Sequence, residues 1–95
     1  MFKDLDPLLH SQLRLSIVSL LMSVAETNFN FIKEETKATS GNLSIQIKKL
    51  QEAGYIKVKK SFVNNYPNTT LSITAKGIEA FENYVENLKN YIHPK

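Results

Sequence analysis

Cysteine and tryptophan are absent from this 95-residue chain, and glycine and proline occur only three times each. Without cysteine there is no disulfide framework, thiolate zinc site, iron–sulfur cluster or cysteine nucleophile. Histidine is scarce too: His10 and His93 stand at opposite ends of the chain, at no spacing that suits a metal or a proton relay. Carboxylates are scattered, with Glu79, Glu82 and Glu86 reading as a solvated helix face, and there is no glycine-rich phosphate loop. These gaps leave no catalytic or metal-binding constellation, so neither an enzyme nor a cofactor is expected. The longest nearly apolar run, the eleven residues from Leu15 to Ala25, falls short of the ~20 needed to span a bilayer. The start, Met1-Phe2-Lys3-Asp4-Leu5-Asp6-Pro7, is acidic and leads to no small-residue cleavage site, so a cytoplasmic protein without membrane contact is expected.

What is present is an uneven distribution of charge. The total of +3 says little, but residues 37–76 hold Lys37, Lys48, Lys49, Lys57, Lys59, Lys60 and Lys76 against Glu52 alone, a net +6. Residues 1–36 sum to −2 and residues 77–95 to −1. A basic middle between mildly acidic ends is the layout of a nucleic-acid-facing segment on a non-binding scaffold. The same lysines also fit an ordinary solvated face.

Periodicity divides the chain into helices and one hairpin. Asp6-Pro7 is a helix-start signal, since a carboxylate caps free amides and proline suits the first helical position; it predicts a helix over 7–24. That helix has apolar residues on most sides, Leu9 and Leu13 among them, which implies burial against more than its own core. Asn30 is placed to cap a short helix over 31–37, and Ser40 to cap a helix over 41–53 in which Leu43, Ile47 and Leu50 fall on one face. Gly54 terminates it. Alternation over Tyr55 to Phe62 predicts a strand with Ile56, Val58 and Phe62 on one side and Lys57, Lys59 and Ser61 on the other. Turn formers from Val63 to Asn68 lead to a second strand over 69–73, so residues 55–73 read as a hairpin. Thr74 caps a last helix over 75–91, whose Ile78, Phe81, Val85, Leu88 and Ile92 advance as a heptad seam. The expected architecture is one domain over 1–95, mainly α with a small β-hairpin (α+β), and helix, turn and helix in its middle.

The order helix, helix, turn, helix, hairpin, helix is that of a winged helix-turn-helix. The segments Asp6-Pro7-Leu8-Leu9-His10, Arg14-Leu15-Ser16-Ile17-Val18, Ser40-Gly41-Asn42-Leu43-Ser44, Leu50-Gln51-Glu52-Ala53-Gly54-Tyr55-Ile56 and Leu71-Ser72-Ile73-Thr74-Ala75-Lys76-Gly77 resemble the small bacterial and archaeal winged-helix transcriptional regulators related to the MarR and ArsR types. The likeness spans about residues 5–90. It implies a homodimer that binds duplex DNA, with the third helix in the major groove, the wing over the adjacent minor groove, and the terminal helices forming the dimer. It also implies a regulator, with repression by operator occupancy as the expected mode. Two departures stand out. Relatives often carry arginine or lysine at the wing tip, where this chain has Asn64-Asn65-Tyr66-Pro67-Asn68, and Ile45 sits where a basic or small polar residue is common. The lack of cysteine excludes the thiolate metal sensing of many ArsR-like relatives.

At 100° per residue the outward arc of the third helix holds Gly41, Ile45, Lys48, Lys49 and Glu52, flanked by Asn42 and Ser44. Ser40, Asn42 and Ser44 at its N-terminus suit phosphates or base edges, and asparagine pairs bidentately with adenine. Lys48 and Lys49 are point charges for phosphate. Ile45 matches a thymine methyl group or a protein contact. Lys59, Lys60, Asn64 and Asn65 are the wing candidates, the lysines serving equally as edge-strand protection. The dimer candidates are Leu9, Leu13, Ile78, Phe81, Val85, Leu88 and Ile92. The alternative is a winged-helix module that joins a protein complex without reading DNA. A small-molecule effector is compatible with either reading, but no polar constellation identifies one.

Overall fold

The computed structural model describes residues 2–94. Its elements are α1 (Gln12–Val24), β1 (Glu26–Asn28), α2 (Phe29–Thr36), α3 (Ser40–Glu52), β2 (Ile56–Val63), β3 (Tyr66–Ile73) and α4 (Ala75–Ile92). The three strands form one antiparallel sheet in the order β1-β3-β2. This is a winged helix of the α+β class, as the sequence order implies.

The helix starts differ from the expected ones by local hydrogen bonding. Asp6-Pro7 does not open a long helix. Asp6 Oδ1 accepts from the Leu8 amide at 2.8 Å and the Asp6 carbonyl accepts from the His10 amide at 2.8 Å, which closes a single turn. The chain then bends and α1 begins at Gln12, with Ser11 before it. The bend drops Leu9 into the core at 0% exposure, and Arg14 Nε, donating to the Leu8 carbonyl at 2.6 Å, pins the turn to α1. α2 is capped by Asn28 rather than Asn30, through an Oδ1 contact of 2.8 Å to the Phe31 amide. α3 is capped by Thr39 rather than Ser40, its Oγ1 accepting from the Asn42 amide at 3.2 Å. In both, the residue whose backbone is extended takes the cap, and these are Asn28 and Thr39. Thr74 caps α4 as expected, accepting from the Gly77 amide at 3.0 Å.

The hairpin is tighter than its composition implies. Asn64 and Asn65 both take positive φ, 52° and 67°, the requirement of a two-residue hairpin turn whose twist matches the strands. Tyr66 and Pro67 therefore belong to β3, paired with Val63 and Phe62. Proline is tolerated there because β1 covers β3 only at residues 70–72, which leaves the Pro67 position on an open edge. β1 itself is missed by local reasoning, since its three residues form a strand only because β3 offers them an edge.

The core gathers Leu9, Ile17, Val18, Leu21, Ile32, Leu43, Ile47, Leu50, Ile56, Leu71 and Tyr84, all buried. α1 runs through its middle and touches α2, α3, α4, β1 and β3, so its all-round apolar surface is largely covered within one chain. Leu9 is thereby corrected from interface candidate to core residue, and Leu13 is half-buried against the same core. α4 turns Gly77 and Tyr84 inward, with Phe81 and Leu88 partly buried beside them. Ile78, Val85 and Ile92 face outward at 36%, 36% and 63% exposure. The expected heptad seam is thus split by the Tyr84 face, because Tyr84 fills the core and anchors its hydroxyl on His10 Nδ1 at 3.1 Å. The radius of gyration is 14.4 Å, against about 12 Å for a compact chain of this length; the wing and the far end of α4 project from the body.

At the exit of α3, the Tyr55 hydroxyl donates to Asp6 Oδ2 at 2.5 Å. Burial, then the hydrogen bond and charge of Asp6, push the Tyr55 pKa up from 10.0 to about 12. A raised folded-state pKa stabilises the fold below the unfolded value and loses that contribution as pH climbs through the folded one. Stability should therefore fall between pH 10 and pH 12, and Tyr55→Phe should flatten that limb. Denaturant midpoints measured across this range check it, and an unchanged alkaline limb in the variant counts against the clamp.

Candidate nucleic-acid interface

α3 presents two faces. Leu43, Ile47 and Leu50 point into the core, while Ser40, Gly41, Asn42, Ser44, Ile45, Lys48, Lys49, Gln51 and Glu52 are all exposed. Ile45 is 55% exposed, so its apolar side chain is not consumed by the core. A Cβ built on Gly41 would meet nothing within 4 Å, and the small residue there leaves the first turn of α3 open.

The strand register sorts the wing lysines. Side chains alternate across the sheet, so Lys60 shares the face of Ile56 and Val58, toward α3, while Lys57 and Lys59 lie on the opposite face. Lys60 and Lys48 thus border one groove of about 410 Å³ between α3 and the wing, with Ser44, Gln51 and Thr69 on its walls and Phe29, Ile47 and Val58 beneath. The structure brings Ser44, Lys48 and Lys60 together, and sets Lys59 on the other side of the hairpin. Asn64 and Asn65 sit at the turn, exposed. Among the described residues the one ion pair within 4.0 Å is Lys89–Glu86 at 3.2 Å. The α3 and wing lysines therefore hold no ion pair within that distance.

Two residues that sequence reasoning passed over hold Asn42. Arg14 Nη1 donates to Gln46 Oε1 at 2.5 Å, and Gln46 Nε2 donates to Asn42 Oδ1 at 3.0 Å. The guanidinium can only donate, so it fixes which end of the Gln46 amide faces it, and Gln46 in turn fixes Asn42. The Asn42 NH2 group is left facing away. The i, i+4 spacing of Asn42 and Gln46 was the available signal; the Arg14 contact was not legible, because it joins residues 32 positions apart.

Residues 13–92 match the model of the winged helix DNA-binding domain family. An uncharacterized protein of Methanocaldococcus jannaschii is 40% identical over 76 residues, which cover 80% of this chain and 83% of that protein. The structure of a transcriptional regulator homologue from Pyrococcus horikoshii superposes with a TM-score of 0.83 at 29% identity, over 90% of this chain and 84% of that one. A mutant MarR from E. coli, solved in complex with operator DNA, superposes with a TM-score of 0.72 at 15% identity, over 92% of this chain and 60% of its own. The chain belongs to the winged helix DNA-binding domain family. Its family and fold are those of DNA-binding transcriptional regulators. No helix among the described residues is long and apolar enough to cross a membrane.

Proposed function

We propose that the protein is a homodimeric repressor that occupies a near-palindromic operator, with α3 in the major groove. The observation that carries DNA binding is the unpaired lysine pair, Lys48 from α3 and Lys60 from β2, bordering one groove beside the exposed arc of α3. Phosphates are the natural counter-charge for such a pair, while Asn42, Ser44 and Ile45 face the position of base edges. The open first turn at Gly41 admits close approach of a sugar–phosphate backbone. Repression rests on the resemblance to operator-binding regulators.

Self-association is supported by the outward stripe Ile78, Val85 and Ile92, seven residues apart along α4, a spacing that suits a helix-to-helix seam. Two-fold symmetry would then set two α3 helices about 34–36 Å apart on one face of the duplex. Selection of bound sequences from a random duplex pool tests binding, palindromy and half-site spacing together. Failure to bind any duplex at low salt would leave the protein-interaction module as the surviving reading. For the dimer, Val85→Asp should sediment as a folded monomer, since Val85 is exposed and its loss leaves the core intact; a persistent dimer places the interface elsewhere.

A further inference from the structure

Arg14 is the only arginine of the chain, and it is not spent on a carboxylate. It is half-buried in α1 and forms no ion pair among the described residues. Its guanidinium instead spans two neutral oxygens, with Nε donating to the Leu8 carbonyl at 2.6 Å and Nη1 to Gln46 Oε1 at 2.5 Å. It is thereby held from two sides, by the turn before α1 and by α3. Gln46 is half-buried as well. A guanidinium has no acceptor, so the Gln46 amide takes one orientation, oxygen to Arg14 and NH2 toward the start of α3. That NH2 donates to Asn42 Oδ1 at 3.0 Å. A flipped Gln46 would set donor against donor at Arg14, and a flipped Asn42 would do the same at Gln46. The polarity of Arg14 thus passes through two amides to an exposed side chain on the flank of the α3 arc.

An unrestrained asparagine has no such polarity. It presents donor or acceptor as a base requires, and it pairs with adenine by using both. Asn42 comes with Oδ1 already engaged, while its NH2 group has no hydrogen-bond partner among the described residues. Turning the amide over to meet a base would break the Gln46 bond and leave two donors face to face. We propose that Arg14 and Gln46 are positioning residues that make Asn42 a hydrogen-bond donor in the major groove, so that it selects guanine over adenine. This rests on the DNA-binding reading above and adds the base that one side chain selects. Guanine presents O6 and N7, two acceptors side by side, whereas adenine has its N6 amino group where guanine has O6. A donor locked outward meets two acceptors at guanine. At adenine it finds N7 alone, beside an amino group that repels it and that loses its water with nothing in exchange.

Selection from a random duplex pool, run in parallel on the full chain and on single variants, reads this choice as base frequency. The unmodified chain should favour guanine over adenine by at least about fivefold at one position of its site, and Asn42→Ala should abolish the preference at that position alone. Gln46→Glu is the decisive variant. The carboxylate accepts from Arg14 as the amide did, so α1 and α3 stay joined and the thermal melt should hold, but it offers no donor to Asn42 Oδ1. The Asn42 amide then turns over, its NH2 donating to the carboxylate and its oxygen leading outward. The preference at that position should reverse to adenine, whose N6 amino group donates. A loss of stability alone would lower affinity for every sequence and reverse nothing. Gln46→Met removes the relay without adding charge and should accept the two purines alike. A guanine preference that persists in either Gln46 variant, or that survives Asn42→Ala, overturns the relay and leaves DNA binding standing. Adenine at that position in the unmodified chain overturns it equally. Failure of the unmodified chain to bind any duplex at low salt overturns the DNA-binding reading and the relay together.

Discussion

Alanine at position 77 should destabilise the fold by about 3 kcal/mol or more, although the residue lies in the first turn of a helix. An ordinary glycine-to-alanine change in a helix stabilises by up to about 1 kcal/mol. Here a Cβ would overlap the Tyr55 carbonyl oxygen outright and lie 3.0 Å from its carbonyl carbon. Neither partner yields easily. Thr74 staples this junction: its amide donates to the Tyr55 carbonyl at 3.1 Å, its hydroxyl donates to the Gly54 carbonyl at 2.6 Å, and the same oxygen accepts from the Gly77 amide at 3.0 Å. Relief requires α4 to move off the exit of α3, which uncovers Tyr84 and the Tyr55–Asp6 clamp. The loss is a large part of the about 5–14 kcal/mol expected for a chain of this size. Urea midpoints measure it, with Gly41→Ala as the contrast, since that site is open and its midpoint should hold or rise. A Gly77→Ala midpoint equal to the unmodified one would show that the junction is softer than its geometry implies.

Reversing charge at Lys48 and Lys60 together should weaken duplex binding at least about a hundredfold near physiological salt and reduce the salt slope by about two or more. The two lysines come from different elements but border one groove, so a single phosphate path meets both, and the glutamates would repel it. Neither residue enters the core, and the variant should melt like the parent. Reversal at Lys59, on the opposite face of the hairpin, should cost less on the same duplex. Titration by fluorescence anisotropy across a salt series reads the double variant and the single reversals at Lys59 and Lys60. Equal losses for Lys59 and Lys60 would mean that both faces of the wing meet phosphate.

These two outcomes rest on different levels of information. The glycine in the first turn of the long helix and the lysines of the basic middle are visible in the chain as written, but the contacts that give them consequence are not. Gly77 matters because Tyr55, 22 positions earlier, passes against it. The lysines matter because sheet register turns Lys60 toward α3 and Lys59 away.

The sequence by itself determined the order of the four helices and the hairpin, the inward face of α3, the cap at Thr74 and the basic middle, because each depends on spacings of a few residues that a helix or strand reads locally. It also determined the winged-helix class, since that order of elements has few ways to bury its apolar faces. Only the tertiary structure decided the rest. Leu9 went to the core when the chain bent at His10; β1 formed because β3 had an open edge; α1 met five neighbouring elements within its own chain; and Tyr84, with Phe81 and Leu88 partly buried beside it, became the inward face of α4. Each of these turns on contacts between residues distant in sequence, whose energies have no local signature. The wing shows both levels at once: its alternation was written in the chain, while the two-asparagine turn that narrows it into a double-faced tip, with Phe62 and Tyr66 exposed, appeared only once the strands were paired.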